Sequence, residues 1–241
     1  MFPEAQPAAP PEAASPEAVA AYLARADPRL APTIAAAGPC ALAATADETA
    51  TALVRSVVYQ QLSGHAAAAI HGRVLAAFGR TGSGNDAGGL VPDVAALAEA
   101  DEAALRACGL SRAKALAVRD VAARALDGRL PARAALAAMP DASVEQALVA
   151  VRGVGPWTAQ MVMMFTLGRP DVWPAADLGV QEGYRLISGA ADRPTATALA
   201  GLGERYRPFR SAAAWTLWRA VDQHRAAAAA LAAASAATGR P

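Results

Sequence analysis

The chain has 241 residues, 54% of them hydrophobic but only 5% aromatic, and a formal net charge of +1. That length suits one substantial domain or two small lobes, and no run of roughly eighteen strongly apolar residues is there to span a membrane. Two well-separated cysteines, Cys40 and Cys108, exclude a four-cysteine iron–sulfur cluster and argue against a disulfide framework; they are expected to be reduced and half buried in helices.

Met1 to Ser15 is rich in Pro and Ala and carries no basic residue. It has neither the charged start nor the apolar stretch of a secretion signal, so a cytoplasmic protein is expected. Residues 1–14 read as a disordered lead. Ser15 followed by Pro16 is a helix start, opening a short helix to about Ala26. Helical apolar stripes follow at 48–63 and 65–79, the first broken by Ser63-Gly64 and the second by Gly79. The Gly-rich stretch 80–89 reads as a flexible surface loop. Further helices are expected near 93–99, 101–108 and 111–126, the last begun by Ser111. Ser143 with Gln146 forms a capping box for a helix over 143–151. A helix over 156–167, one starting near Asp177, and two more at about 194–203 and 210–224 complete the set. The Ala-rich tail 225–241 has little to bury, and either extends the last helix or frays. With alanine abundant, β-branched runs scarce and no convincing strand, the expected fold is all-α.

The most informative stretch is "VRGVGPWTAQ" (151–160). Gly153 and Gly155, flanked by Val151 and Val154, give a tight turn that lets a ligand approach the backbone. Pro156 then opens a helix whose first-turn N–H groups face the turn, an anion site suited to a DNA phosphate. The turn carbonyls of Val149, Val151 and Val154 could hold an alkali cation, Na+ or K+. Two glycines alone fit an ordinary turn between packed helices better than a ligand site. Charge adds a little: Arg106 to Arg169 holds nine basic residues against four acidic ones, and phosphate binding needs local positive charge rather than a basic protein.

In this setting the segment resembles the DNA-binding hairpin of the helix-hairpin-helix DNA glycosylases (the HhH-GPD superfamily), in particular the alkylpurine, 3-methyladenine glycosylase II type. Four other stretches resemble the family in its own order: "LVRSVVYQQLSGHAAAAIHGRV" (53–74), "GLSRAKALAVRDVA" (109–122), "DVWPAADLG" (171–179) and "YRPFRSAAAWTLWRAVD" (206–222). Together they span roughly residues 20–224. The resemblance implies two helical lobes flanking a DNA-binding cleft, within a glycosylase domain over 15–224. It implies a monomeric enzyme that acts on double-stranded DNA carrying alkylated bases, needs no cofactor, and hydrolyses the N-glycosidic bond of alkylated purines.

Residue roles follow from the same resemblance. Asp177, read alone, is a helix N-cap; it also matches the family's catalytic carboxylate, and both roles can hold together. Bifunctional relatives carry a lysine where Trp157 stands here, and the sole lysine, Lys114, lies elsewhere, so a monofunctional enzyme without a lyase step is implied. Thr158, with Gly153 and Gly155, is expected to meet a phosphate. Trp157 and Trp218 match base-pocket positions, with Tyr59 and Gln60 beside them; Trp215 and Phe209 are as readily core. Either Gln61 or Leu62 fills the duplex after the base leaves. Met161, Met163 and Met164 read as core, and His65, His71 and His224 as structural or surface residues.

The chemistry asks for little more. An alkylated purine carries positive charge, which makes it a good leaving group and lets it stack on electron-rich rings. Charge developing on the sugar then needs one fixed anion. Two other readings stay open: a monofunctional glycosylase for another base, such as uracil or mismatched adenine, and a non-catalytic DNA-binding module that kept the hairpin.

Overall fold

A computed structural model describes residues 14–82 and 89–238. The chain divides into two compact units, one built from the segment up to Leu42 together with the segment from Pro170 onward, the other from Ala43–Arg169. The described residues are mainly helical. The first unit begins with α1 (Pro16–Ala26), capped by Ser15 accepting from the Ala18 N–H at 3.2 Å. A 3-10 turn (Pro28–Leu30) and α2 (Ala31–Ala37) follow.

The second unit holds α3 (Thr49–Tyr59), α4 (Gly64–Phe78), strands β1 (Gly79–Thr81) and β2 (Leu90–Pro92), α5 (Val94–Glu99), α6 (Glu102–Ala107), α7 (Arg112–Leu126), α8 (Arg133–Ala138), α9 (Asp141–Val149) and α10 (Pro156–Phe165). Leu53, Val54, Val57 and Val58 of α3 recur at helical spacing and are fully buried; α3 packs on α7, whose Ala115, Val118 and Val121 are fully buried as well. The chain then returns to the first unit with α11 (Leu178–Ser188), α12 (Ala196–Leu202) and α13 (Arg210–Thr238). Its core is Leu23, Leu30, Val180, Leu199, Tyr206 and Leu217. There the buried carboxylate of Asp27 accepts from the Tyr206 hydroxyl at 2.7 Å and from Arg29 Nη2 at 2.7 Å. Burial raises the Asp27 pKa, but these donors outweigh it and hold the group below its ordinary value.

The all-α expectation holds, with corrections in detail. Strands β1 and β2 were not expected; they pair antiparallel, Arg80 opposite Val91, using β-branched residues at the two ends of the Gly-rich stretch. The interior of that stretch, 83–88, and residues 1–13 of the lead lie outside the described residues. Ser143 is not a cap. The helix begins two residues earlier, at Asp141 behind Pro140, so Ser143 is already inside the first turn and its N–H bonds Pro140 O at 3.0 Å. The first long stripe ends at Tyr59 rather than Ser63, and α2 and α8 had no sequence signal strong enough to place them. Cys40 sits in irregular chain, not a helix, and both cysteines are free thiols. The last helix runs on to Thr238, its tail through Ser235 exposed, since alanine needs no burial to favour a helix. Among the described residues no helix is long and apolar enough to cross a membrane.

Candidate active site

The hairpin lies in the unit of Ala43–Arg169, between α9 and α10. Val151 and Val154 are buried and close the turn through a 3.1 Å bond from Val154 N–H to Val151 O. Gly153 has φ +76, and a Cβ there would come within 3.0 Å of the Ala117 Cβ on α7. Both the backbone conformation and the packing therefore ask for glycine. The Arg152 N–H bonds Asp120 Oδ2 at 2.8 Å, tying the turn to α7 a second time. Gly155 is the N-cap of α10 and offers no side chain to its first-turn amides; space is open where its Cβ would be. A helix end left to the backbone, with room in front of it, suits an anion.

Gln60, just past α3, reaches this hairpin. Its Nε2 donates to Gly153 O at 3.0 Å and to Thr158 Oγ1 at 3.1 Å. The Thr158 side chain is buried away from solvent, so what Thr158 can offer a phosphate is its main-chain N–H. Tyr59, Gln60, Trp157, Thr158, Met161 and Phe165 all line one cavity of about 510 Å³, within the range of small-molecule sites. Tyr59 and Trp157 are 38% and 42% exposed, large aromatic residues open at the cavity. Met161 thus belongs to the pocket wall, while Met163 and Met164 are core as expected. His71 is buried and packs edge-on against Tyr59, a structural role.

Beyond Gln60 the chain turns sharply. Gln61 has φ +56, the left-handed region that a non-glycine residue enters at a cost. Leu62 beside it is 40% exposed. The turn is clamped from α7: Lys114 Nζ donates to Val58 O at 2.8 Å and Gln60 O at 2.7 Å. Burial pushes the Lys114 ammonium below its ordinary pKa. The residue patterns did not expose this clamp; the signal was there in a sole lysine three positions after a Ser N-cap.

Asp177 belongs to the other unit, at the head of α11, and the N-cap reading is correct: Oδ1 accepts from the Val180 N–H at 2.8 Å. The same oxygen accepts from the indole Nε1 of Trp218, on α13, also at 2.8 Å. The loop ahead of it is fixed at several points. Arg210 Nε meets Asp171 Oδ1 at 2.7 Å, Ser211 Oγ accepts from Val172 N–H at 3.0 Å, and the Trp173 indole donates to Leu199 O at 2.9 Å. The Asp177 N–H closes a turn onto Pro174 O at 2.9 Å. Trp218 is therefore joined to the carboxylate, an arrangement its pocket assignment did not include. Trp215 carries the Arg219 guanidinium over its ring at 5.4 Å, and Phe209 packs edge-on against Tyr22 in the core. Among the described residues no cluster of three His, Cys, Asp or Glu side chains could hold a metal ion.

Residues 54–208 match the model of the HhH-GPD superfamily of base excision DNA repair proteins. The chain belongs to that family. DNA-3-methyladenine glycosylase 1 of Schizosaccharomyces pombe is 33% identical over 167 residues, 69% of this chain and 70% of that protein. The structure of that yeast's 3-methyladenine DNA glycosylase Mag1 with abasic DNA matches at TM-score 0.72 and 28% identity, over 83% of this chain and 95% of that one. A DNA-3-methyladenine glycosidase from Bacillus halodurans matches at TM-score 0.71 and 33% identity, over 84% and 88% of the two chains.

Proposed function

We propose that this repair protein is a monofunctional glycosylase that hydrolyses the N-glycosidic bond of alkylated purines, of the 3-methyladenine and 7-methylguanine type, in duplex DNA. The observation that carries the reading is the Asp177 carboxylate, held at a helix head by a backbone and an indole donor on one oxygen. A carboxylate fixed in this way stabilises the charge that builds on the sugar as the bond stretches, without reorganising as it does so. The cationic base takes the electron pair of the breaking bond and leaves as the neutral purine without a general acid, while water supplies the hydroxyl that replaces it at the sugar carbon and releases its other proton to solvent.

The unit of Ala43–Arg169 supplies the grip. Backbone amides at Gly155 and the first turn of α10 take a phosphate, the exposed rings of Tyr59 and Trp157 take the flipped base, and the strained turn at Gln61 and Leu62 supplies the side chain that fills the duplex. The carbonyls of Val149, at the end of α9, and of Val151 and Val154, in the hairpin, are hard oxygen donors, and we assign a Na+ or K+ to them, where it would add positive charge beside that phosphate. The chain's sole lysine is engaged with two carbonyls of the 58–60 segment, which supports hydrolysis over covalent amine catalysis. The protein acts as a monomer on this reading. The test is incubation with methylated duplex DNA and chromatography of the free bases: 3-methyladenine or 7-methylguanine is expected, with an intact abasic strand. Release of neither base from methylated DNA would overturn the assignment.

A further inference from the structure

We propose that Gly179 is a positioning residue, setting the approach of the Trp218 indole to Asp177; this rests on the reading of Asp177 as the catalytic carboxylate. A Cβ at Gly179 would lie 2.8 Å from Trp218 Cδ1, 2.9 Å from Trp218 Nε1 and 3.0 Å from Asp177 Oδ1. Those atoms are the donor, its neighbour and the acceptor of a single 2.8 Å hydrogen bond. One added methyl therefore falls on the bond itself.

Backbone freedom does not account for this glycine. It stands in the first turn of α11, in helical conformation, where alanine would be favoured. This chain uses alanine freely elsewhere, so the absence of a methyl here has a local cause. The indole is a broad ring, half-buried on α13 and tied through Nε1 to Asp177 Oδ1, so a methyl at Gly179 displaces the ring together with its hydrogen bond. One turn further along α11, Gly183 faces the backbone carbonyl of Leu217, with no room for a Cβ. The two glycines have separate roles. Gly183 lets the helix backbones close, and Gly179 lets the indole reach the carboxylate. In this arrangement Trp218 acts through its N–H, holding the carboxylate in place.

The test is a double-mutant cycle on single-turnover release of 3-methyladenine from methylated duplex, with wild type, Gly179→Ala, Trp218→Phe and the double variant. Losing a hydrogen bond to a charged acceptor lowers the rate about ten- to a hundredfold in each single variant. The phenylalanine keeps a flat ring but has no N–H, so the double variant falls no more than about twofold below Trp218→Phe. Equal further loss from Gly179→Ala in the Trp218→Phe background would overturn the proposal, because the methyl would then obstruct substrate directly.

Two readouts are independent of activity. In the free protein, the Trp218 indole resonance, assigned by its loss in Trp218→Phe, is protected from solvent exchange; Gly179→Ala exposes it. A protected indole in Gly179→Ala refutes the proposal. The melting temperature of Gly179→Ala falls and is restored by adding Trp218→Leu, which clears the space. If Gly179→Ala does not fold alone, that pair still decides, and failure to restore counts against the proposal. A wild type that releases no alkylpurine would refute the proposed function instead, leaving the exchange and melting results to judge the indole contact.

Discussion

Replacing Asp177 by asparagine removes one charge and almost nothing else. The amide oxygen of asparagine can still accept from the Val180 N–H and from Trp218 Nε1, the two bonds that now converge on Oδ1. Asparagine caps helices as well as aspartate does, so the start of α11 is retained. What is lost is the attraction between the carboxylate and the cationic sugar. At a separation of about 4 Å and an effective dielectric near 20, suited to a half-buried group, this is about 4 kcal/mol, or about a thousandfold in rate. Asp177→Ala loses the cap as well, which costs about 1 kcal/mol and lowers the melting temperature by roughly 2–4 °C. The assay is single-turnover base release on methylated duplex, paired with melting curves and duplex affinity. Asp177→Asn is expected to melt and bind DNA like wild type while releasing base about a thousand times more slowly. A folded Asp177→Asn within tenfold of the wild-type rate would refute the electrostatic role.

Four further outcomes follow from the same structure. Gly155→Asp puts a carboxylate into the open space before α10, and weakens binding to damaged and undamaged duplex alike; unchanged affinity at moderate salt in a folded variant would remove the hairpin from the DNA interface. Trp157→Ala, at a half-exposed ring, lowers alkylpurine release about five- to 150-fold through loss of base stacking while affinity for undamaged DNA is kept; equal loss in both would deny it a place against the flipped base. Borohydride traps no covalent complex with abasic DNA, in wild type or in Lys114→Ala, whereas Lys114→Ala melts lower because the carbonyls of Val58 and Gln60 lose their donor; a complex that needs Lys114 would show lyase chemistry. The Asp27 pKa is lowered in the folded state, so its stabilisation is present above the unfolded value of about 3.9 and is lost as pH falls through the folded value. Asp27→Asn therefore melts lower at neutral pH and shows a flatter decline below about pH 4, which thermal melts across pH can check.

Much of the local structure was legible because its causes lie within a few residues. Ser15, Ser111 and Asp177 cap the helices that follow them, since a short polar side chain before an apolar stripe satisfies the orphan amides wherever the helix ends up. The apolar stripes at 48–63 and 65–79 marked α3 and α4 as helices in the same way. Local chemistry failed at Ser143, where two helix starts compete within three residues and the chain entered at the earlier one. It also failed at β1 and β2, three residues each, too short for any periodicity to register.

The candidate site divides along the same line. Gly153 could be found because a turn that enters the left-handed region shows its glycine in sequence, whereas Gly155 stands in extended backbone with open space around it; Asp177 could be found as a helix cap because its motif is contiguous. Tertiary structure alone decided that Gln60 braces the hairpin across 93 residues, that Lys114 clamps the 58–60 segment, and that Trp218 donates to a carboxylate 41 residues away. Each of these bonds depends on distance and angle between helices that only packing brings together. Sequence can say that an indole or an amide is available. Which acceptor it meets is settled by close approaches such as that at Gly183, where a Cβ would meet the Leu217 backbone, and that at Gly179, where it would meet the Trp218 indole and the Asp177 carboxylate.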